Sequence, residues 1–267
     1  MLNDFLTINN IRKVYNPETA GEVVALNNIC FSLPEGEFVT IVGSNASGKT
    51  NLLNVIAGST LPTSGDIVLD GKSLLKMPEF KRSRFISRVQ QNPKDSVITS
   101  MTLAENLAIA KLKGKKAGIN KGVKKEWKTE FVALLKPLGL GLEKRLDDKI
   151  DLLSGGQKQA VALLMATINK PKLLLLDEHA AALDHKVSKK VLEITDRLVR
   201  EGNVTTLMIT HNIRHAIEYG KRLILLDRGH IGFESSGEQK KNLSVSNILE
   251  KLEFEPVEFT EDTPSTL

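Results

Sequence analysis

The chain has 267 residues, 41% apolar and 26% charged, a balance ordinary for a soluble globular protein long enough to bury a large core. Its apolar stretches, such as Leu173–Leu176 and Ala160–Met165, are too short to span a bilayer, and Asp4, Asn9, Asn10, Arg12 and Lys13 break up any signal-like start, so the expected compartment is the cytosol. A net charge of +5 admits nucleic acid or an anionic membrane surface, and a single cysteine, Cys30, excludes an internal disulfide.

In chain order, Phe5–Ile11 and Val23–Leu33 alternate or run apolar around the turn residues Asn16, Pro17 and Gly21. They read as strands of an antiparallel layer. Cys30, inside the second run, reads as a small core residue. Glu37–Val42 is a short β-branched apolar run entering Gly43, the pattern of a buried parallel strand. Helical spacing over Lys49–Ala57 stops at Gly58. Ile67–Leu69 predicts a strand before the turn Asp70–Gly71, and Phe85–Val89 predicts another.

From Asn92 to about Asp151 the pattern turns helical and charged. Thr102-Leu-Ala-Glu105 is a capping box, in which hydroxyl and carboxylate satisfy free N–H groups at a helix start. Glu126–Leu135 has helical spacing up to Pro137–Gly139. The lysines Lys111, Lys113, Lys115, Lys116, Lys121, Lys124, Lys125 and Lys128 read as a solvated loop and helix face, with anionic lipid headgroups as the second reading. Aromatic residues are not interleaved regularly among them, so nucleic acid is not expected. Alternation then resumes with helix Gly155–Ile168, strand Leu173–Leu176, helix His185–Arg200 and strands Val204–Ile209 and Leu223–Leu226. That order predicts a parallel sheet covered by helices. Ser244–Leu252 reads as a final short helix and Phe254–Leu267 as a poorly ordered tail.

Gly43-Ser44-Asn45-Ala46-Ser47-Gly48-Lys49-Thr50 fits G-x-x-x-x-G-K-[ST] without mismatch, between an apolar strand and a helix. A triphosphate needs many N–H donors close to its oxygens. Glycines let the backbone wrap it, and the next helix points its N-terminus at the charge. Lys49 then reaches the β- and γ-phosphates, and the Thr50 hydroxyl binds Mg²⁺. Leu173-Leu-Leu-Leu-Asp177-Glu178 is a buried strand ending in two carboxylates. Asp177 can hold Mg²⁺ through water, and Glu178 can polarise an attacking water. The predicted fold class is α/β: a P-loop NTPase parallel sheet flanked by helices, with an N-terminal antiparallel β layer and an inserted helical subdomain.

With Leu153-Ser-Gly-Gly-Gln157 added, the chain resembles the nucleotide-binding subunits of ATP-binding cassette (ABC) transporters from about residue 5 to residue 235. The resemblance implies an ATPase that closes on ATP and Mg²⁺ as a dimer with a second copy. One subunit would grip the nucleotide with Gly43, Ser44, Asn45, Ala46, Ser47, Gly48, Lys49, Thr50 and Asn51. Its mate would cap the γ-phosphate with Ser154, Gly155, Gly156 and Gln157. Ser154 suits a helix N-cap, and the glycines after it expose N–H groups at a positive helix end. Tyr15 would stack on adenine. Gln91, in VQQNP, would touch Mg²⁺ and sense the membrane partner, with Gln90 as the alternative. Ala182-Leu-Asp184 would communicate across the dimer, Asp184 doubling as a helix N-cap. His211, in MITHN, would contact the γ-phosphate. The implied catalytic set is therefore Glu178, His211, Lys49 and Gln91, and the implied metal set is Thr50, Gln91 and Asp177. Three positions depart from the family's usual pattern: Ala46 for glycine, Ala160 for arginine and His179 for proline. His179 reads as structural, with tuning of the Glu178 carboxyl as the second reading.

The stretch LLSGGQKQAVALLMATINKPKLLLLDEHAAALD resembles bacterial importer ATPases that work with a separate membrane permease and a solute-capturing lipoprotein. Aromatic amino acids are one implied cargo. The expected location is peripheral, on the cytoplasmic face of the inner membrane. The expected organisation is one ABC ATPase domain: residues 1–91 and 152–235 as nucleotide-binding core, 92–151 as helical subdomain, and 236–267 as C-terminal helix and tail. The alternative is a soluble ABC-type ATPase acting on DNA or ribosomes. The absence of sustained heptads and the single cassette argue for transport.

Overall fold

The computed structural model describes residues 4–115 and 123–252. Lys116, Lys121 and the predicted tail Phe254–Leu267 lie outside the described residues. The first period-two runs form β1 (Leu6–Tyr15) and β2 (Val23–Leu33), antiparallel with Leu6 opposite Leu33. β4 (Ser64–Leu69) pairs with the other edge of β1, and β5 (Lys72–Ser73) closes a hairpin on it. Asp70 and Gly71 make that turn with φ of 49° and 70°, the paired left-handed geometry whose twist suits a hairpin. The resulting antiparallel layer has the order β2-β1-β4-β5.

One expectation fails in this layer. Cys30 is exposed, not in the core. Asn28 sits at φ 51°, where the β1–β2 register slips between the pairs Ile11–Ile29 and Lys13–Leu26. Past this bulge strict alternation sends Ile29, Phe31 and Leu33 inward and Cys30 outward. Its thiol meets Asn10 Oδ1 at 2.8 Å.

The second sheet is built on β3 (Phe38–Val42), every residue of which is buried. β6 (Ile86–Val89), β7 (Leu173–Asp177), β8 (Thr205–Ile209), β9 (Arg222–Asp227) and β10 (His230–Ser236) complete the order β10-β9-β3-β8-β7-β6. All pairs are parallel except the edge pair β9–β10. Leu173 and Leu175 face one core with α1 (Lys49–Ala57) and the antiparallel layer. Leu174 and Leu176 face the other, with α3 (Leu103–Leu112), α4 (Lys125–Leu135), α5 (Gly155–Thr167) and α6 (His185–Gly202). A strand covered on both faces needs the continuous apolar run that the sequence shows. Ile41 and Asp177 both pair with Ile209, so the C-terminal ends of three strands lie level. Ligands of open α/β sheets bind at that edge.

The expected capping box at Thr102 forms with Glu105 and opens α3. Among the strands and α-helices, five have no counterpart in the pattern read from the sequence: β5, α2 (Glu79–Arg82), α7 (Ile213–Glu218), α8 (Gly237–Lys241) and β10. The three helices have at most six residues, too few to display a helical period. α9 (Val245–Leu249) is the core of the predicted final helix.

Two buried cations fasten these pieces. Arg82 is fully buried and donates to Val55 O at 2.9 Å, Ile56 O at 3.0 Å, Leu74 O at 2.7 Å and Met77 O at 2.8 Å. It thus satisfies carbonyls at the end of α1, where a cation also complements the helix dipole. Arg82→Leu leaves all four carbonyls without that donor. It is expected to cost about 3 kcal/mol, read as a fall in denaturant midpoint at unchanged m-value.

Lys240, on α8, contacts the carbonyl oxygens of Tyr219 and Gly220, with Thr40 Oγ1 at 3.3 Å. Burial pushes its pKa from 10.5 down to about 8. Across that window the unfolded chain holds the proton that the folded chain releases, so this group makes stability rise with pH. Denaturation of the native protein beside Lys240→Met is expected to show the difference shifting toward the native protein from pH 8 to pH 10.5.

Candidate nucleotide site

β3 ends at Val42 and the chain turns sharply through Gly43. A Cβ at Gly43 would lie 2.1 Å from Leu226 O, so only glycine lets the loop leave the sheet this close to β9. Ala46 takes φ 61°, a left-handed conformation that costs a non-glycine residue roughly 1 kcal/mol. This is the backbone consequence of the alanine singled out in the sequence. α1 then begins with no side-chain cap and no acidic residue in its first turn. Its N–H groups and dipole face the loop uncompensated by the chain.

Lys49 folds back over that loop. Its ammonium donates to Gly43 O at 2.9 Å and Ser44 O at 2.7 Å, with Ser47 Oγ at 3.4 Å. Burial lowers its pKa, while the carboxylates of Glu178 and Asp177 pull it back up. Asn45–Asn51, Glu178 and His211 line a pocket of about 200 Å³, with Gly43 and Ser44 outside its lining. Glu178 stands just past β7 with φ 49°. Its N–H donates to Ile209 O at 3.1 Å, and its Oε1 contacts His211 Nε2.

Asp177 is adjacent but outside the pocket lining. Arg88 on β6 pairs with its Oδ2 at 2.5 Å and reaches Asn54 Oδ1 at 2.7 Å. Arg88 escapes sequence reasoning because its partners lie far along the chain. Tyr15 ends β1 with its hydroxyl 2.9 Å from Asn51 Oδ1 and Lys13 Nζ 4.7 Å from its ring centroid. Its exposed ring therefore sits beside the start of α1. Gln91 is exposed just after β6 and does not line the pocket. Gln90 is held by backbone, its N–H donating to Ser96 Oγ at 3.2 Å.

Among the described residues no three His, Cys, Asp or Glu side chains converge on a metal. The Thr50 hydroxyl at the start of α1 and the Asp177 carboxylate at the end of β7, the latter paired with Arg88, would supply oxygen donors. Mg²⁺ takes such donors when phosphate and water supply the remaining ligands.

Ser154, Gly156 and Gln157 line a different pocket, of about 470 Å³, together with Leu140, Val187 and Val191. Ser154 and Gln157 form a reciprocal capping box. Gln157 Nε2 also donates to Leu140 O at 3.2 Å. A Cβ on Gly156 would lie 2.1 Å from Val187 Cγ1, so this glycine is what lets α5 approach α6. Asp184 caps α6, its Oδ1 accepting from Val187 N at 3.0 Å. His179 is buried, and its Nε2 lies 2.9 Å from Thr195 Oγ1. Burial, helped by His215, lowers its pKa to about 4.

A phosphate-binding loop, its lysine and two carboxylates gathered on one sheet edge define a P-loop nucleoside triphosphatase. Comparison with known proteins narrows this class. The ABC transporter family profile matches residues 26–181. The tyrosine transport ATP-binding protein of Clostridioides difficile is 44% identical over 93% of this chain and 99% of its own length. The spermidine/putrescine import ATP-binding protein PotA of Mycoplasma capricolum is 36% identical over 86% of this chain, which spans 61% of that relative. Among solved structures, the dimeric ATP-binding cassette MJ0796 bound to ADP and Pi has a TM-score of 0.73 at 30% identity, covering 86% of this chain and 98% of that one. The ADP conformation of the cassette MJ1267 gives 0.77 at 28%, covering 93% and 98%. The chain belongs to the ABC transporter family. It is an ATP-binding subunit whose activity is ATP hydrolysis coupled to transport, which sets aside the DNA- or ribosome-directed alternative.

Proposed function

We propose that this chain powers solute import as a peripheral subunit on the cytoplasmic face of a membrane, paired with a permease that receives solute from a binding protein. The names of its transport relatives support import, and the tyrosine transport relative supports an aromatic amino acid as cargo. Among the described residues no helix is long and apolar enough to cross a membrane, and in this reading the permease is a separate chain. Residues 92–151 act as the helical subdomain that meets it, with Gln91 at the hinge. Residues 1–91 and 152–235 form the nucleotide-binding core.

In this reading Gly43–Thr50 wrap the phosphates and Lys49 moves from the Gly43 and Ser44 carbonyls onto them. Tyr15 stacks against the base. Thr50, Asp177 and Gln91 would hold Mg²⁺, which would supply neutralisation of phosphate charge. Glu178 polarises the attacking water while His211 orients the carboxylate and meets the γ-phosphate. Two copies close on ATP, the Ser154 end of α5 from each capping the nucleotide of the other. Loss of the shared phosphate removes the contact joining them.

The observation that carries this reading is that Asn45–Thr50 line one pocket of the chain and Ser154, Gly156 and Gln157 line another. Ser154→Arg is expected to bind ATP normally and hydrolyse none. Mixed with Lys49→Ala, it should regain turnover, because each mixed pair contains one complete composite site. Mixed pairs that form without regaining turnover would refute the shared site.

A further inference from the structure

Glu178 occupies a backbone state that a glutamate does not choose. Its φ of 49° costs roughly 1–3 kcal/mol unless the surroundings impose it. The hydrogen bonds from Glu178 N–H to Ile209 O at 3.1 Å and from Ala181 N–H to Glu178 O at 2.9 Å hold one side of it. The next residue holds the other. His179 is 2% exposed, and its imidazole reaches Thr195 Oγ1 in the middle of α6 at 2.9 Å. Thr195 is 1% exposed, and its single hydroxyl proton is already given to Val191 O at 2.9 Å. Its oxygen is therefore the acceptor, and His179 Nε2 carries the hydrogen.

The consequence is a relay of bonds from the Glu178 backbone through an imidazole to the α6 backbone. The loop from Glu178 to Asp184 is tied to the same helix at its other end as well, through the Asp184 cap on Val187. Both of these side-chain anchors sit on α6, while the Glu178 N–H stays bonded to Ile209 on β8. We infer that His179 is a positioning residue: its bond to Thr195 holds the left-handed Glu178 so that the carboxylate stays against His211 at the P-loop pocket. This rests on Glu178 as the water-polarising group proposed above. A carboxylate displaced by a fraction of an ångström loses its line to the water while leaving nucleotide contacts untouched.

The test compares Thr195→Val, which keeps the side-chain shape but removes the acceptor, with Thr195→Ser, which keeps it, and with His179→Phe. In the otherwise native protein Thr195→Val and His179→Phe should each lower kcat about tenfold, with KM and ATP affinity unchanged. The double variant should lose no more than either single one, and Thr195→Ser should keep the native rate. On a Glu178→Gln background neither substitution should lower the residual rate further. The inference is overturned if Thr195→Val stays within twofold of native, if Thr195→Ser falls with it, or if ATP affinity drops in parallel. Full hydrolysis by Glu178→Gln alone would instead sink the role of Glu178, leaving a distinct signature. Thr195→Val is nearly isosteric, and ATP binding reports its folding should His179→Phe fail to fold.

Discussion

Glu178→Gln is expected to keep ATP bound while lowering turnover by about a thousandfold. The substitution preserves size and the contact geometry with His211, and it leaves the nine residues Gly43–Asn51 untouched. What it removes is the negative oxygen at the pocket wall. A neutral amide can still orient water but accepts no developing proton. Because binding survives and the terminal phosphate is not lost, the two-copy state should accumulate. Nucleotide titration, phosphate release and size analysis with ATP and Mg²⁺ together check this. A variant that binds ATP yet stays monomeric at saturation would separate Glu178 from the step that opens the pair.

Lys49→Ala is expected to weaken ATP binding by about a hundredfold or more. Two effects oppose each other at this position. The ammonium is partly buried, and its lowered pKa records a cost of keeping it charged there. Removing it relieves that cost and removes the bonds to Gly43 O and Ser44 O that nucleotide binding would otherwise break. It also deletes a charge-assisted bond to phosphate, worth roughly 1.5–3 kcal/mol for each contact, and the loss of that bond decides the sign. Equilibrium binding of a fluorescent ATP analogue measures the outcome. Affinity within threefold of native would count against the loop as the phosphate site.

The parts legible in the sequence are local strings. The P-loop, the Leu173–Glu178 strand and the Ser154 capping box each encode their geometry within a few residues. Arg82, Arg88 and Lys240 are not legible. Arg82 and Lys240 make their partners from backbone carbonyls, which any sequence supplies, and Arg88 finds Asp177 across 89 positions. β10 is hidden because His230–Ser236 offers a glycine and two serines to a strand pattern. Cys30 misleads for a different reason. The alternation Ile29, Phe31, Leu33 is present in the sequence, but the bulge at Asn28 that sets its phase is not. His179 can be singled out beside Glu178, yet its partner Thr195 lies inside a helical pattern where a buried threonine looks like any other core position.

The outward turn of Cys30 has a practical consequence. Every subunit presents one exposed thiol, on the antiparallel layer and not among the residues that line the proposed nucleotide pocket. A maleimide dye placed there would report the separation of two copies by energy transfer in real time, without introducing or deleting any other cysteine.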